Sequence, residues 1–226
     1  MLACRPAVFL ALALLAAPAL AKTNWVNTIA ATPEGGIRIG NPAAKVKVVE
    51  YASYTCGHCK VFNETGLPAL KAKYIAAGNV SLEQRSFVRN GEDLAASLLV
   101  ACQAPRPALA FVDKLFAEQD TWTRPFIEMS NADNAAVTAA APELQAAKKA
   151  ELGGLDRWAD ARGLPLAKAA VCLRSKTAQD RLVASRNEAM TRYKLEGTPL
   201  FLINGTAVPA VYDWSKLEPS VKAALK

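Results

Sequence analysis

The chain of 226 residues has a single histidine, His58, and a single close pair of cysteines, Cys56 and Cys59. A structural zinc site takes four ligands, usually as two close pairs. One pair with the histidine lying inside it does not supply that set. A c-type haem needs histidine right after the second cysteine, and Lys60 stands there. No run of five basic residues occurs, and basic residues do not alternate with aromatics. The formal charge of +7 therefore reads as a solvated basic surface and gives no nucleic-acid footprint. Internal repeats are missing too, and the alanine-rich stretches are helix formers.

Long apolar runs are confined to the N-terminus. Arg5 precedes "AVFLALALLAAPAL", and Ala19-Leu20-Ala21 has the small-x-small form of a cleavage site. This predicts a signal peptide over residues 1–21, cut after Ala21. The run is short for a membrane span of about 20 residues. Cys4 lies before the apolar region, where it is no lipoprotein acylation site, and would leave with the signal. The mature chain then holds four cysteines, Cys56, Cys59, Cys102 and Cys172. In an exported protein an even count permits disulfides. Of the possible pairings, the close spacing favours Cys56–Cys59 with Cys102–Cys172.

With 52% hydrophobic residues the chain has ample material for a core. "KVKVVEYAS" (45–53) reads as a buried strand. "TCGHCKVFNE" should start a helix with Thr55 near its N-cap. Gly66 and Pro68 are expected to interrupt that helix before "PALKAKYIAAG" continues it, with Gly78 as C-cap. "NVSLEQRSFV" (79–88) reads as a second strand, parallel to the first. Helical spacing then dominates from "GEDLAASLLVACQA" to "RNEAMTRYK". Strand character returns at "TPLFLING" (198–205), where Asn204-Gly205 is a strong hairpin turn toward "TAVPA". "YDWSKLEPSVKAALK" closes the chain as a helix, and "GGIRIG" is a candidate extra strand near the start. The order is β-α-β, a helical insert of roughly 100 residues, then β-β-α.

A disulfide closing only the Cys56–Cys59 loop is a poor staple, because the entropic gain grows with loop length. A redox centre suits the setting better. Cys56 falls at the first turn of a helix, where free N–H groups and the positive dipole end favour a thiolate. Cys59 is more sheltered and can resolve a mixed disulfide. His58, when protonated, adds positive charge beside the thiolate. A stabilised thiolate stabilises the reduced form and makes the disulfide a better oxidant.

"VVEYASYTCGHCKVF" and the later "GTPLFLING" resemble the thioredoxin superfamily. The helical insert, with Pro199 lying 143 residues after Cys56, is similar to that of the DsbA-like thiol:disulfide oxidoreductases. The resemblance covers the chain from about Ala43 to the C-terminus. It implies an α/β thioredoxin fold with a large helical insertion between the βαβ and ββα halves. The thioredoxin-like domain would span 22–91 and 195–226, and the inserted helical domain 92–194.

The resemblance also assigns roles. Cys56 matches the nucleophile and Cys59 the resolving cysteine, while Gly57 and His58 fill the dipeptide that tunes the potential. Pro199 matches the cis-proline that faces the disulfide, and Thr198 would offer its backbone to an extended substrate. A proline is also tolerated at the first residue of a strand on general grounds. Glu50 matches an acidic residue that affects proton transfer to the resolving cysteine; its alternative is a strand-edge glutamate facing water. Cys102 and Cys172 fit either inert buried thiols or a structural disulfide such as some DsbA-like proteins carry in the helical domain.

The implied function is a periplasmic oxidoreductase that introduces disulfides into reduced or unfolded exported proteins. It would need no metal or other cofactor and would be reoxidised by a DsbB-like membrane thiol oxidase. An isomerase or reductase is the rival within the class. Long-known periplasmic isomerases carry a separate N-terminal dimerisation domain, and only about 20 residues separate Lys22 from the core, which counts against the isomerase; a monomer is expected. A non-redox chaperone is the rival outside the class, and the intact CxxC argues against it.

Overall fold

The computed structural model describes residues 23–226. The signal peptide over 1–21, its cleavage after Ala21 and Cys4 lie outside the described residues. A short 3-10 turn, Trp25–Asn27, leads into strands β1 (Ile29–Ala31), β2 (Ile37–Gly40) and β3 (Val46–Ala52). One continuous helical run follows: α1 (Gly57–Val61), a π turn (Phe62–Gly66), α2 (Leu67–Leu70) and a second π turn (Lys71–Ile75). After β4 (Val80–Ser86) come helices α3 (Gly91–Ala101), α4 (Pro105–Ala117), α5 (Gln119–Ile127), α6 (Asn131–Ala139) and α7 (Gln145–Leu152). Helices α8 (Leu155–Asp160), α9 (Leu166–Leu173) and α10 (Lys176–Arg192) complete the insertion. The chain closes with β5 (Leu200–Ile203), β6 (Thr206–Val208) and α11 (Trp214–Leu225).

The strands form one sheet in the order β1-β2-β4-β3-β5-β6. The β3–β4 pair is parallel, in register from Val46↔Val80 to Ala52↔Ser86. Its other neighbours pair antiparallel. The α/β class and the helical insertion between β4 and β5 agree with the sequence reading. "GGIRIG" does supply a strand, β2, and it pairs with β1, a strand of three residues too short to show a pattern of its own. Asn204 and Gly205 form the hairpin turn with φ of 50° and 84°, as a two-residue turn with both central residues left-handed requires. Gly78 ends the helical run at φ 81°, with its N–H on the Ile75 carbonyl.

One local expectation is sharpened and one fails. The N-cap of α1 is Cys56, the residue after Thr55, with φ −97° and ψ 122°. The Thr55 backbone N–H and hydroxyl are instead engaged by the Asp93 carboxylate, which holds Thr55 in the turn before the helix. Gly66 and Pro68 do not interrupt the helix. A Cβ on Gly66 would lie 2.5 Å from the Phe62 ring and 3.0 Å from the Trp214 side chain, so the glycine serves close packing. Pro68 sits in the first turn of α2, right after a π turn in which the Leu67 N–H reaches back to the Phe62 carbonyl. That one-residue slip in register absorbs a proline that lacks a donor.

Successive residues of a strand face opposite sides, and β3 uses both. Val46 and Val48 join Phe62, Leu67, Leu70, Phe201, Leu217 and Val221 in a core between the sheet, the 57–75 helix and α11. Tyr51 faces the other side, with Leu200, Leu202 and Ala189 of α10. Phe62 meets Phe201 edge-on at 4.7 Å. Burying a side chain of that size contributes roughly 1.5–3 kcal/mol. A third core fills the insertion, and Ala52, Tyr54, Cys56 and Cys59 belong to it. The end of β3 is thus the place where the sheet meets the inserted helices.

Cys102, at the C-cap of α3, is bonded to Cys172 of α9; the Cα atoms lie 5.6 Å apart across 70 residues of sequence. Closing a loop of that length removes denatured-state entropy equivalent to about 4 kcal/mol in the chain-entropy model. Cys172→Ser should therefore lower the unfolding free energy by a few kcal/mol with Cys56–Cys59 kept oxidised in both proteins. Guanidinium denaturation reads this directly, and an unchanged midpoint would contradict it.

Candidate redox centre

β3 ends at Ala52, and three residues, Ser53 to Thr55, turn the chain into α1. The Cys56 N–H bonds to the Ser53 carbonyl at 3.1 Å, and the Cys56 carbonyl accepts from the Lys60 N–H at 3.1 Å. This N-cap geometry places the sulfur over the open end of the helix. Both cysteines are in the thiol form. Cys56 is 6% exposed and Cys59 fully buried.

The two thiols are driven apart in acidity. The Cys59 thiol, first of all, holds the Cys56 pKa down at about 4; burial opposes it, and the Thr198 hydroxyl and the backbone N–H groups of Cys59 and His58 add to the lowering. Burial pushes Cys59 well above the ordinary thiol range, reinforced by Cys56 and by the charge of Glu50. The centre therefore favours one thiolate beside one neutral thiol.

The Thr198–Pro199 bond is cis. It brings the Thr198 carbonyl within 3.2 Å of Cys56 Sγ, which in its thiol form donates to it. The Thr198 hydroxyl is buried and has no hydrogen bond of ordinary geometry, yet it lies close enough to favour the Cys56 thiolate. The cis-proline and its preceding threonine thus flank the nucleophile candidate.

Glu50 follows Val46 and Val48 on the face of β3 that looks inward, and it is fully buried. It is not a water-facing edge residue. Gln84 Nε2 of β4 donates to its Oε2 at 3.0 Å, whereas Oε1 has no partner. Burial, opposed by the Gln84 bond and helped by the Cys56 charge, raises its pKa to about 8. A carboxyl group that exchanges its proton near neutral pH is chemically able to serve the neighbouring thiols.

His58 is exposed, and its ring stacks on Tyr212 at 5.8 Å and 29°. Its backbone N–H is one of the groups that lower the Cys56 pKa. Gly57 is exposed, and a Cβ there would meet nothing within 4 Å, so space does not demand glycine. Cys102 and Cys172 stand apart, deep in the insertion. Among the described residues no group of three or more His, Cys, Asp or Glu side chains is arranged to hold a metal.

Sequence reasoning missed Gln84, Tyr212, Asp93 and Gln119. Gln84 sits opposite Glu50 in the β3–β4 register, a pairing that a parallel alignment of the two strands would have exposed. Asp93 carried a weak signal as the third residue of a helix opened by Asn90. Gln119 and Tyr212 carried none, since each reaches the centre from a distant segment.

A cis-proline opposite a thiol pair at a helix start, with a helical insertion inside the fold, defines a DsbA-like protein of the thioredoxin superfamily. A family model described as thioredoxin matches residues 32–223. The chain belongs to the thioredoxin family. A crystal structure of a protein-disulfide isomerase from Novosphingobium aromaticivorans superposes with a TM-score of 0.80 at 29% identity, covering 85% of this chain and 98% of that one. Wolbachia pipientis alpha-DsbA1 shares the fold, with a TM-score of 0.67 at 21% identity over 87% of this chain and 93% of that one. A curated relative from Rickettsia bellii, named as a protein-disulfide oxidoreductase, is 30% identical over 173 residues, 76% of this chain. The match spans only 58% of that relative's own length.

Glu50 sets a pH dependence of stability that can be isolated in the oxidised protein, where the small contribution of the Cys56 charge is gone and burial, the largest cause of the raised pKa, still acts. Its folded pKa lies above its unfolded one, so its contribution is most favourable below the unfolded value of about 4.3 and is lost as pH rises toward about 8. Asp93, raised to about 6 by burial, adds a similar decline at lower pH. Between about pH 6.5 and 9 the Glu50 part remains, on the order of 2 kcal/mol. Urea unfolding over that range should show the decline in the native sequence and lose it in Glu50→Gln; equal declines in both would contradict the assignment.

Proposed function

We propose that this protein is an exported thiol:disulfide oxidoreductase that introduces disulfide bonds into other proteins. The observation that carries the reading is the placing of Cys56 at the N-cap of α1 beside Thr198, with Cys59 fully buried, an arrangement that lowers the Cys56 pKa and raises that of Cys59. A stabilised Cys56 thiolate makes the reduced form comfortable and the disulfide a strong oxidant.

In the proposed reaction a substrate thiolate attacks Cys56 Sγ of the Cys56–Cys59 disulfide. The S–S bond breaks, a mixed disulfide forms at Cys56, and Cys59 leaves and takes up a proton, with Glu50, a buried acid that acts on Cys59, as its proposed source. A second substrate thiolate then attacks the substrate sulfur of the mixed disulfide and expels Cys56 as thiolate. The substrate loses two electrons and gains a disulfide; the protein gains both and becomes the dithiol. A DsbB-like membrane thiol oxidase would take the two electrons and restore the disulfide. Thr198 would hold the extended substrate beside Cys56 by its backbone, strand against strand. His58 and Gly57 would shape the approach, and no cofactor beyond the cysteine pair is needed.

The substrates we propose are reduced or unfolded exported proteins, met in the periplasm by a monomer. The N-terminal charge, apolar run and AxA site support export. An isomerase is the second reading, because the Novosphingobium structure covered almost entirely by this chain is titled a protein-disulfide isomerase. Oxidative refolding of a reduced, disulfide-containing protein separates them. The oxidised protein should accelerate disulfide formation, and Cys56→Ser should abolish the effect. No acceleration over Cys56→Ser defeats the oxidase reading, and rescue of scrambled but not reduced substrate favours the isomerase.

A further inference from the structure

The turn that presents Cys56 is held from outside the thioredoxin core. Asp93 of α3 is fully buried. Its Oδ2 accepts the Ser53 hydroxyl at 2.6 Å and the Thr55 hydroxyl at 3.1 Å, and its Oδ1 accepts the Thr55 backbone N–H at 3.1 Å. The same carboxylate is anchored at the start of its own helix, accepting the Arg89 N–H at 3.2 Å. Asn90 receives the Asp93 backbone N–H at 2.9 Å. A second residue of the insertion, Gln119, the first residue of α5 and 6% exposed, donates through Nε2 to the Tyr54 carbonyl at 2.8 Å and the Cys56 carbonyl at 3.1 Å.

We infer that Asp93 and Gln119 of the helical insertion are positioning residues that set the reactivity of Cys56 by clamping the Ser53–Cys56 turn at both its hydroxyl and amide groups and its carbonyls. An acidic residue in the first turn of a helix usually serves only its own helix end, in water. Asp93 does more: it is withdrawn from water, and three of its bonds cross to another element. Burying a carboxylate is costly unless it is fully hydrogen-bonded, and the turn supplies those bonds. Gln119 in turn grips the carbonyl of Cys56 itself. Three of the thiolate's stabilisers, the Cys59 thiol and the amides of Cys59 and His58, lie on α1; the fourth is the Thr198 hydroxyl. Their aim at the sulfur depends on the backbone angles at Cys56, which this clamp fixes. Loosening it lets the sulfur swing away from those donors. The thiolate then loses stabilisation, and the disulfide becomes a weaker oxidant.

The inference rests on the redox role proposed for Cys56, and its test reads Cys56 directly. Thiolate absorbance of the reduced protein gives its pKa, and equilibration with glutathione gives the potential. Gln119→Met removes both donors without changing charge. Asp93→Asn keeps the shape, reverses one hydrogen-bond partner and deletes a negative charge. Deleting that charge alone would lower the Cys56 pKa, so clamp and charge effects differ in sign. Both variants should raise the pKa by about one unit, a tenfold loss of thiolate stabilisation. The glutathione equilibrium should shift about tenfold toward the disulfide, which is roughly 30 mV more reducing. Thr55→Val, which removes only a hydroxyl from the clamp, should shift both readouts in the same direction by less and serves if Asp93→Asn does not fold. An unchanged or lowered pKa in Gln119→Met, whatever its stability, overturns the inference. The native protein's own potential judges the oxidase reading separately, since that value can fail while the variants still shift.

Discussion

A sulfur that must carry negative charge while almost out of contact with water is the constraint on which this structure turns. Burial alone raises a thiol pKa. At Cys56 that cost is outweighed by a neighbouring thiol, a threonine hydroxyl and two backbone amides at a helix start. None of these donors works at a distance; each has to be aimed. The N-cap conformation of Cys56, the one-turn spacing to Cys59 and the closeness of Thr198 all supply aim. The sheet brings the two halves together, since β3 ends at the Ser53–Cys56 turn and pairs with β5, which Pro199 precedes.

The same strand sets the proton chemistry beneath the sulfurs. Alternation along β3 sends Val46 and Val48 into the core and then Glu50 onto the same face. The carboxyl is left with one hydrogen bond, from Gln84, and one unpartnered oxygen. Its pKa near 8 follows from burial more than from any charge nearby. A neutral Glu50 does not repel the Cys56 thiolate, and a charged one would. Under the proposed function this favours a protonated Glu50 when the thiolate forms and leaves that proton available when Cys59 departs.

Much of this was legible in the chain because it is local. The β-branched run at 45–53, the CxxC directly after it and Asn204-Gly205 carry their conformations in neighbouring residues. Pro199 was readable only through resemblance, since a proline before a strand is ordinary without a disulfide opposite. The failures have physical reasons as well. Gly66 and Pro68 looked like breakers, but π turns and the Phe62 ring use them. Thr55 stands beside the cap, where Asp93 engages it. Asp93 and Gln119 lie 37 and 63 residues after Cys56 in sequence, and only packing of the insertion against the turn brings them to it. Long-range polar contacts leave no periodic trace, whereas apolar faces do.

The account stands or falls on the free-energy gap between the dithiol and the disulfide. Equilibrating the native protein with glutathione buffers and quantifying the oxidised fraction measures it. A low Cys56 pKa and a neutral Cys59 require a potential in the oxidising half of the known range, toward about −120 mV. A value near about −270 mV, typical of a reductant, would contradict the claim that the helix start and its donors hold Cys56 as a stable thiolate.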